Sequence, residues 1–184
     1  MLRNITSNYS QMKQVFIFIG LLFFATATIA QNKVKTITES DVVTVGQQVP
    51  TFNYVDDKGQ KQSSTKLQGK VVMYTFFATW CGPCRKELPV IDEKIWKKYQ
   101  NNDQFKLLVF GREHNAKELK KFKKEHTLNL PLYPDPKREI YSKFAHRFIP
   151  RIYLTDKSGK IIFQSKGFNE TEFKKLLKTI EENL

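Results

Sequence analysis

The sequence predicts an α/β fold in which helices flank a central mixed β-sheet and a β-hairpin precedes it. Two apolar runs rich in β-forming residues, 71–77 and 105–110, have the composition of strands buried on both faces. The segment between them repeats apolar residues at helical spacing. Because strands and helices alternate and the last two strands form a hairpin, the sheet is expected to combine parallel and antiparallel pairs.

The first half of the domain shows a hairpin, a strand and a helix in that order. Phe52 and Tyr54 indicate a strand, the turn signal 56–59 follows, and a polar return completes the hairpin. Residues 66–70 are interpreted as a surface segment that leads into the strand 71–77. The helix beyond that strand has one apolar stripe, formed by Leu88, Ile91, Ile95 and Tyr99.

A second helix is predicted by its start signal. Asn115, with Glu118 three residues later, has the pattern of a capping box. The inward face of this helix is expected to carry Ala116, Leu119 and Phe122. Its lysines are expected on the solvent side.

The last third of the chain is expected to end in a hairpin and a helix. Three prolines make 131–136 an irregular stretch, and a short helix is expected over 138–144. Strands at 151–155 and 161–165 flank the turn signal 156–159. The closing helix has the apolar stripe Phe173, Leu176, Leu177, Ile180 and Leu184.

The N-terminus has the organisation of an export signal. An uncharged apolar run occupies 15–29, Lys13 precedes it, and small residues end it, which predicts a signal peptide cleaved after Ala30. Met12 is a candidate natural start. The alternative is an uncleaved anchor, although the run is shorter than the roughly 20 residues that a spanning helix needs. The predicted divisions are a signal peptide at 1–30, a lead-in at 31–44 and one domain at 45–184.

Charge and cysteine content narrow the functional classes. The chain of 184 residues has 31 Lys plus Arg against 18 Asp plus Glu, a net charge of +13, and two cysteines. Two cysteines exclude a disulfide-stapled miniature scaffold and a four-cysteine zinc site. No metal or cofactor is predicted, and the histidines are expected to be surface or loop residues. These are His114, His126 and His146.

The basic charge does not predict nucleic-acid binding. The lysines of the second helix lack the interleaved aromatic residues of a single-strand binder, and export removes the protein from most nucleic acid. An anionic membrane surface or an acidic partner suits the charge better. The lysines concerned are Lys117, Lys120, Lys121, Lys123 and Lys124.

The two cysteines define the candidate chemical centre, WCGPC at residues 80–84. The motif lies between a buried strand and an amphipathic helix, so Cys81 falls at a helix N-terminus, where unpaired amides favour a thiolate. Gly82 allows a tight turn, and Pro83 suits the first helical turn. Cys84 lies one turn later and deeper. This arrangement predicts thiol–disulfide exchange, with Cys81 attacking a substrate disulfide and Cys84 resolving the mixed disulfide.

The motif in this context resembles the active site of the thioredoxin superfamily. The longer string 67–89 is similar to the exported, membrane-associated TlpA/ResA branch, whose domain is of the AhpC/TSA-redoxin type. The resemblance covers residues 45–184. It implies a thioredoxin fold and an enzyme with a redox-active disulfide between Cys81 and Cys84.

The resemblance also implies roles for neighbouring residues. Glu87 matches a glutamate that handles protons near the cysteines, although an ordinary solvated helix residue is the alternative. Pro89 matches a proline that kinks the helix, and Pro150 matches a cis-proline that grips the substrate backbone. Thr75 stands where general thioredoxins have a buried aspartate, which shifts proton handling to Glu87. The implied substrate-binding set is Trp80, Gly82, Pro83, Ile149 and Pro150.

The Gly–Pro pair between the cysteines favours a reductase of disulfides in envelope proteins, with cytochrome c maturation as one family role. The resemblance implies a monomer in the periplasm, reduced by a membrane thiol donor of the DsbD/CcdA type. One alternative is a thiol peroxidase, although Ala78 replaces the Thr or Ser that usually lies three residues before a peroxidatic cysteine. Another alternative is a non-catalytic binding or adaptor module. A structural disulfide or a metal-binding pair would leave the flanking Trp80, Gly82 and Pro83 unexplained.

Overall fold

Seven strands lie in two sheets among residues 40–184, the part of the chain that the computed structural model describes. Strands β1 (Asn53–Val55) and β2 (Lys61–Ser63) form the predicted N-terminal hairpin. The central sheet has the order β5-β4-β3-β6-β7. Its strands are β3 (Val71–Phe77), β4 (Phe105–Arg112), β5 (Leu132–Asp135), β6 (Arg151–Thr155) and β7 (Ile161–Lys166). Strands β3, β4 and β5 are parallel, whereas β6 and β7 are each antiparallel to the preceding neighbour, so the sheet is mixed as predicted.

Helices connect the parallel strands and close the chain. Helix α1 (Gly82–Ile91) continues through a π-helical segment, Asp92–Trp96, into the short α2 (Lys97–Tyr99). Helices α3 (Ala116–Glu125) and α4 (Glu170–Asn183) follow β4 and β7. Two 3-10 turns occupy Ser64–Leu67 and Tyr141–Lys143. The crossovers β3–α1–β4 and β4–α3–β5 are what parallel pairing of these strands requires.

The helices cover one face of the sheet. Alternate residues of β3, including Met73 and Phe77, pack there against Leu88 of α1, Phe122 of α3 and Leu176 of α4. The stripe predicted for the helix after Cys84 is buried in this cluster, and so are the principal residues of the closing stripe. Strand β3 is buried on both faces because it lies in the middle of the sheet.

Aromatic residues fill the opposite face, under the hairpin and the segment 140–145. Phe76 packs against Phe144 with ring centroids 4.9 Å apart, and Phe52 meets Phe110 edge-on at 5.7 Å. Each ring fills a large volume, so short segments suffice to cover this face. The aromatic members of the cluster are Phe52, Tyr54, Tyr74, Phe76, Phe110, Tyr133, Tyr141, Phe144 and Tyr153.

Two expectations for the segment after α3 are wrong. The proline-rich stretch 131–136 contains strand β5, because an edge strand tolerates Pro134, which has no N–H to donate. The helix expected over 138–144 is reduced to the 3-10 turn Tyr141–Lys143. Arg138 has a φ of 60°, outside the right-handed helical region, so a helix cannot begin there.

Two smaller expectations also need correction. Ala116 is exposed rather than inward, because it lies in the first turn of α3, whereas Leu119 and Phe122 are buried as expected. The segment 66–70, expected at the surface, includes the end of a 3-10 turn, and its Leu67 is buried in the aromatic cluster. The predicted capping box is confirmed, since the Asn115 and Glu118 side chains each accept the other residue's backbone N–H.

A buried ion pair ties the described end of the lead-in to β6. The Arg151 guanidinium, 2% exposed, contacts the Asp41 carboxylate and also donates to the backbone carbonyl of Arg147. The predicted signal peptide and the lead-in up to residue 39 lie outside the described residues. No helix within residues 40–184 combines the length and apolarity needed to cross a membrane.

We expect Asp41→Ala to lower the free energy of unfolding by about 3 kcal/mol, because it leaves the Arg151 charge buried without its carboxylate. Urea denaturation of the oxidised protein would measure the change. The control is Asp57→Ala, which removes an exposed carboxylate and should cost less than about 0.5 kcal/mol. Equal effects of the two substitutions would contradict the assigned role of the ion pair.

Candidate active site

The two cysteines lie at the start of α1, shortly after the end of β3. Cys81 is the N-cap residue of α1, and its Sγ accepts the backbone N–H of Cys84 at 3.3 Å. The two residues are joined by a disulfide, with Cα atoms 5.3 Å apart. Cys84 is fully buried, whereas Cys81 retains 5% exposure, so the predicted order of depth is confirmed. The free amides of this helix end favour a thiolate at Cys81 once the disulfide is reduced.

The two residues between the cysteines leave the disulfide open to one side. Gly82 is the first residue of α1 and does not adopt a left-handed φ, so the turn itself does not require glycine. A Cβ at this position would meet no atom within 4 Å. Pro83 lies in the first helical turn, as predicted, where a missing N–H costs nothing. Both residues are exposed beside the disulfide.

The loop before β6 forms the opposite wall. The Ile149–Pro150 peptide bond is cis, as the resemblance implied. The Ile149 carbonyl oxygen lies 3.9 Å from Cys81 Sγ. The Pro150 carbonyl accepts the N–H of Gly167 at 2.9 Å, which holds the loop against the end of β7. The structure therefore brings the cysteine pair and the predicted substrate-binding residues Ile149 and Pro150 together.

Glu87 is buried one helical turn after Cys84. The i, i+3 spacing puts the two side chains on the same face of α1. Glu87 is 2% exposed, and its Oε2 has no hydrogen-bond partner among the residues that the structure describes. Burial raises the pKa of Glu87 from 4.5 to about 8, so the carboxyl is mostly protonated at neutral pH. The alternative of a solvated helix residue is therefore wrong.

Thr75 lies in the centre of β3 on the side that faces the helices, since its neighbours Met73 and Phe77 pack there. It is fully buried, and its Oγ1 has no hydrogen-bond partner within residues 40–184. A threonine hydroxyl cannot take up a proton near neutral pH. Glu87 is thus better placed than Thr75 to exchange a proton with the buried Cys84.

Sequence reasoning missed His114, which it placed at the surface or in a loop. His114 does lie in the loop after β4, but it is 8% exposed, and its Nε2 accepts the N–H of Thr79 at 3.0 Å. Its Nδ1 faces the Glu118 carboxylate at 3.6 Å. His114 therefore links the capping box of α3 to Thr79, which lies two positions before Cys81. The available signal was that His114 follows β4, because parallel neighbours such as β3 and β4 end at the same sheet edge.

Trp80 projects from the site, with 61% of its surface exposed, and the Arg112 guanidinium lies 5.8 Å from its ring. Within residues 40–184, no group of three His, Cys, Asp or Glu side chains is placed to hold a metal ion. The groups that the site brings together are the two sulfur atoms and the neighbouring carboxyl of Glu87.

Comparisons with known proteins agree with this geometry. The AhpC/TSA family model matches residues 45–164. The thiol-disulfide oxidoreductase ResA of Bacillus thuringiensis subsp. konkukian is 30% identical over 130 residues, which cover 71% of this chain and 74% of that protein. The thioredoxin-like protein YneN of Bacillus subtilis is 32% identical over 132 residues, or 71% and 76% of the two chains.

Solved structures show the same fold. The solution structure of a candidate protein disulfide isomerase from Bacteroides thetaiotaomicron matches with a TM-score of 0.76 and 36% identity, and covers 79% of this chain and 92% of that one. A candidate thiol:disulfide interchange protein DsbE from Chlorobium tepidum, 24% identical, matches with a TM-score of 0.65 over 77% and 98% of the two chains. The chain therefore belongs to the AhpC/TSA family, among the TlpA/ResA-like thioredoxin-fold thiol–disulfide oxidoreductases.

Proposed function

We propose that this protein reduces disulfide bonds in proteins of the cell envelope by dithiol–disulfide exchange. The observation that carries the proposal is the Cys81–Cys84 disulfide, which caps α1 and lies beside the carbonyl of Ile149. One sulfur is reachable and one is buried, which is the asymmetry that a nucleophile and a resolving thiol need. Gly82 and Pro83 leave the approach to the reachable sulfur open.

The reaction starts from the reduced protein. The Cys81 thiolate attacks one sulfur of the substrate disulfide, the substrate S–S bond breaks, and the leaving sulfur takes up a proton. Cys84 then loses its proton and attacks Cys81 Sγ, which releases the second substrate sulfur as a thiol. Two electrons pass to the substrate, and the protein is left with the Cys81–Cys84 disulfide.

Glu87 is the proposed proton acceptor for Cys84. Its pKa of about 8 lies much closer to the range of cysteine thiols, roughly 8.5 in water, than the pKa of an ordinary carboxyl does, so Glu87 is a stronger base for Cys84 than an ordinary carboxylate. A carboxylate with an ordinary pKa would be a much weaker base for this thiol. The burial that raises the pKa of Glu87 is thus what suits the carboxyl to its role.

The proposed direction is reduction. The Gly–Pro pair is that of reducing thioredoxins, whose potential is roughly −270 mV. Each turnover oxidises the protein, so a thiol donor must reduce it again, and we propose a membrane donor of the DsbD/CcdA type. The relative named ResA supports membership of this branch, and apocytochrome c is one disulfide-containing substrate that the branch suggests.

We propose an exported protein, on the basis of the signal-peptide pattern at 1–30. We propose a monomer because the family resemblance implies one. When it is produced in a bacterium with an intact export system, we expect the envelope fraction to contain a chain that starts at Gln31. Intact-mass measurement of that fraction would show it, and Ala30→Leu should block the cleavage because the site requires small residues. A chain that keeps its N-terminus in the membrane fraction would instead establish the anchor.

We expect Cys81→Ser and Cys84→Ser to reduce the rate of insulin disulfide reduction to the uncatalysed rate, because each removes one of the two sulfur atoms that exchange. Turbidity of the released insulin chains, with dithiothreitol as donor, would measure the rate. Undiminished activity in either variant would contradict the mechanism.

Cysteine variants also distinguish this function from the two alternatives, a thiol peroxidase and a non-catalytic binding module. A thiol peroxidase would consume peroxide with only a dithiol present and would leave insulin intact. A non-catalytic binding module would still capture its partner after both cysteines are replaced. Ala78, three residues before Cys81, weighs against the peroxidase.

We expect Glu87→Gln to slow release of the reduced substrate from the mixed disulfide by about 100-fold at neutral pH, because Cys84 loses its proton acceptor. In the wild type this rate should rise with pH and level off above about 8, as Glu87 becomes ionised. The variant should lack this transition and speed up only where the thiol ionises unaided. Stopped-flow quenching with mass detection would resolve the step, and Glu93→Gln, an exposed change on the same helical segment, should have no effect.

Stability provides an independent check on the same carboxyl. The folded pKa of Glu87 lies above its ordinary value, so the folded state binds more protons between about 4.5 and 8 than the unfolded state. The stabilising contribution of the protonated Glu87 should therefore be complete below that window and be lost as pH rises through it. Glu87→Gln should remove this part of the decline, and an unchanged pH slope would contradict the burial of an ionisable group.

A further inference from the structure

One buried cation links the wall that carries Cys81 to the wall formed by the loop before β6. Arg112 ends β4 at the sheet edge where β3 also ends, since the two strands are paired in parallel. It is 9% exposed, and its guanidinium lies 5.8 Å from the centre of the Trp80 ring and 4.9 Å from that of Tyr141. Both distances are within the range of cation–π contacts. Arg112 therefore contacts the residue before Cys81 on one side and a buried tyrosine on the other.

Tyr141 extends this contact to the opposite wall. Its hydroxyl donates to the Phe148 carbonyl at 2.7 Å. Phe148 directly precedes Ile149, whose carbonyl oxygen lies 3.9 Å from Cys81 Sγ. The φ of Phe148 is 72°, in the left-handed region, where an aromatic residue is rare. A backbone of this kind persists where surrounding contacts fix it, and the hydrogen bond from Tyr141 is one such contact.

The same sheet edge fixes Tyr141 itself. Asp135, at the end of β5, pairs with Arg112 in the sheet, and its Oδ2 accepts the N–H of Tyr141 at 2.8 Å. Asp135 and Tyr141 are both buried, so this bond is shielded from water. A second guanidinium, that of Arg138, lies 5.3 Å from the centre of the Tyr141 ring. The ring is therefore held from several sides in its place beside Arg112.

The charge of Arg112 is only partly compensated. The Glu113 carboxylate lies 3.3 Å from Arg112 Nη2 and is shared with Arg138, at 3.5 Å. Arg112 Nε has no hydrogen-bond partner in the part of the chain that the structure describes. A buried charge with so few hydrogen bonds is weak evidence for a role in stability. Holding the two rings explains the position of Arg112 better than a role in folding does.

We propose that Arg112 is a positioning residue for substrate binding. It holds Trp80 directly and the loop 148–150 through Tyr141, and so sets the spacing of the two walls between which a polypeptide disulfide reaches Cys81. Because its contacts are with the rings and with the Glu113 carboxylate, it acts on binding of the substrate chain rather than on the reactivity of the sulfur. The inference rests on the proposed reductase function and adds a residue to its substrate-binding machinery.

The test compares a polypeptide substrate with a small reagent. The first is a peptide with one internal disulfide, and the second is iodoacetamide, a neutral molecule that needs only the Cys81 thiol. In Arg112→Gln we expect KM for the peptide to rise about tenfold with kcat nearly unchanged, because loosened walls bind the chain less well. In the Cys84→Ser background, where Cys81 is the remaining thiol, the pH profile of alkylation should be the same with and without Arg112→Gln.

Further variants separate positioning from charge. Arg112→Lys keeps the positive charge, but an ammonium cannot lie flat against two rings, so its KM should rise as in Arg112→Gln. Tyr141→Phe keeps the ring, removes the hydrogen bond to Phe148 and should also raise KM. In the double variant Arg112→Gln/Tyr141→Phe the two effects should not add, because both act through the same contacts. The control Lys120→Gln removes a positive charge from the exposed side of α3 and should leave KM unchanged.

A wild-type KM in Arg112→Gln would overturn the inference and leave the proposed function intact if the wild type reduces the peptide. A wild-type KM in Arg112→Lys, or a shifted alkylation profile in Arg112→Gln, would assign Arg112 an electrostatic effect on Cys81 and overturn it too. Failure of the wild type to reduce the peptide would reject the proposed function and the inference with it. If Arg112→Gln does not fold, Arg112→Lys and Tyr141→Phe decide, and a wild-type KM in either overturns the inference.

Discussion

The rest of the site depends on the N-cap of α1, where Cys81 Sγ accepts the amide of Cys84. This contact places one sulfur at the positive end of the helix and the other one turn below it. The position of α1 is set by β3, which is buried on both faces and ends four residues before the cap. A shift of either element would separate the sulfur from the Ile149 carbonyl on the opposite wall.

The two faces of the sheet contribute differently to this constraint. Helices on one face bury Cys84 and Glu87 in an apolar layer, which is the reason that the carboxyl stays protonated until about pH 8. On the other face, an aromatic cluster supports the loop that ends in the cis-proline, through contacts such as Tyr141 to the Phe148 carbonyl. The reactive sulfur of Cys81 lies between α1 on one side and the loop that ends in the cis-proline on the other.

Local signals were sufficient to predict much of this arrangement. The apolar run of β3, the turn residues of both hairpins and the capping box at Asn115 each act through neighbours in sequence, and each is confirmed. Strand β5 was missed because its pairing with β4 is a tertiary event that edge position allows despite Pro134. The burial of His114 was missed for the same reason, since it depends on which strand ends lie together.

Long-range contacts account for the remaining differences. The Asp41–Arg151 ion pair joins residues 110 positions apart, and no sequence pattern indicates it. The burial of Glu87, which decides its protonation, also follows only from how α1 packs. The net charge of +13 follows from the composition, but the sequence does not indicate that Lys166 and Arg147 both lie beside the Phe148 ring.

In the proposed reaction, substrate passes through a covalent bond to Cys81. The most direct test is to mix Cys84→Ala with a disulfide-containing envelope protein and to map the product by peptide mass. We expect a stable mixed disulfide at Cys81, which dithiothreitol releases and which the variant lacking both thiols does not form. Absence of the adduct, or equal capture of partners by the variant lacking both thiols, would contradict a covalent step at Cys81.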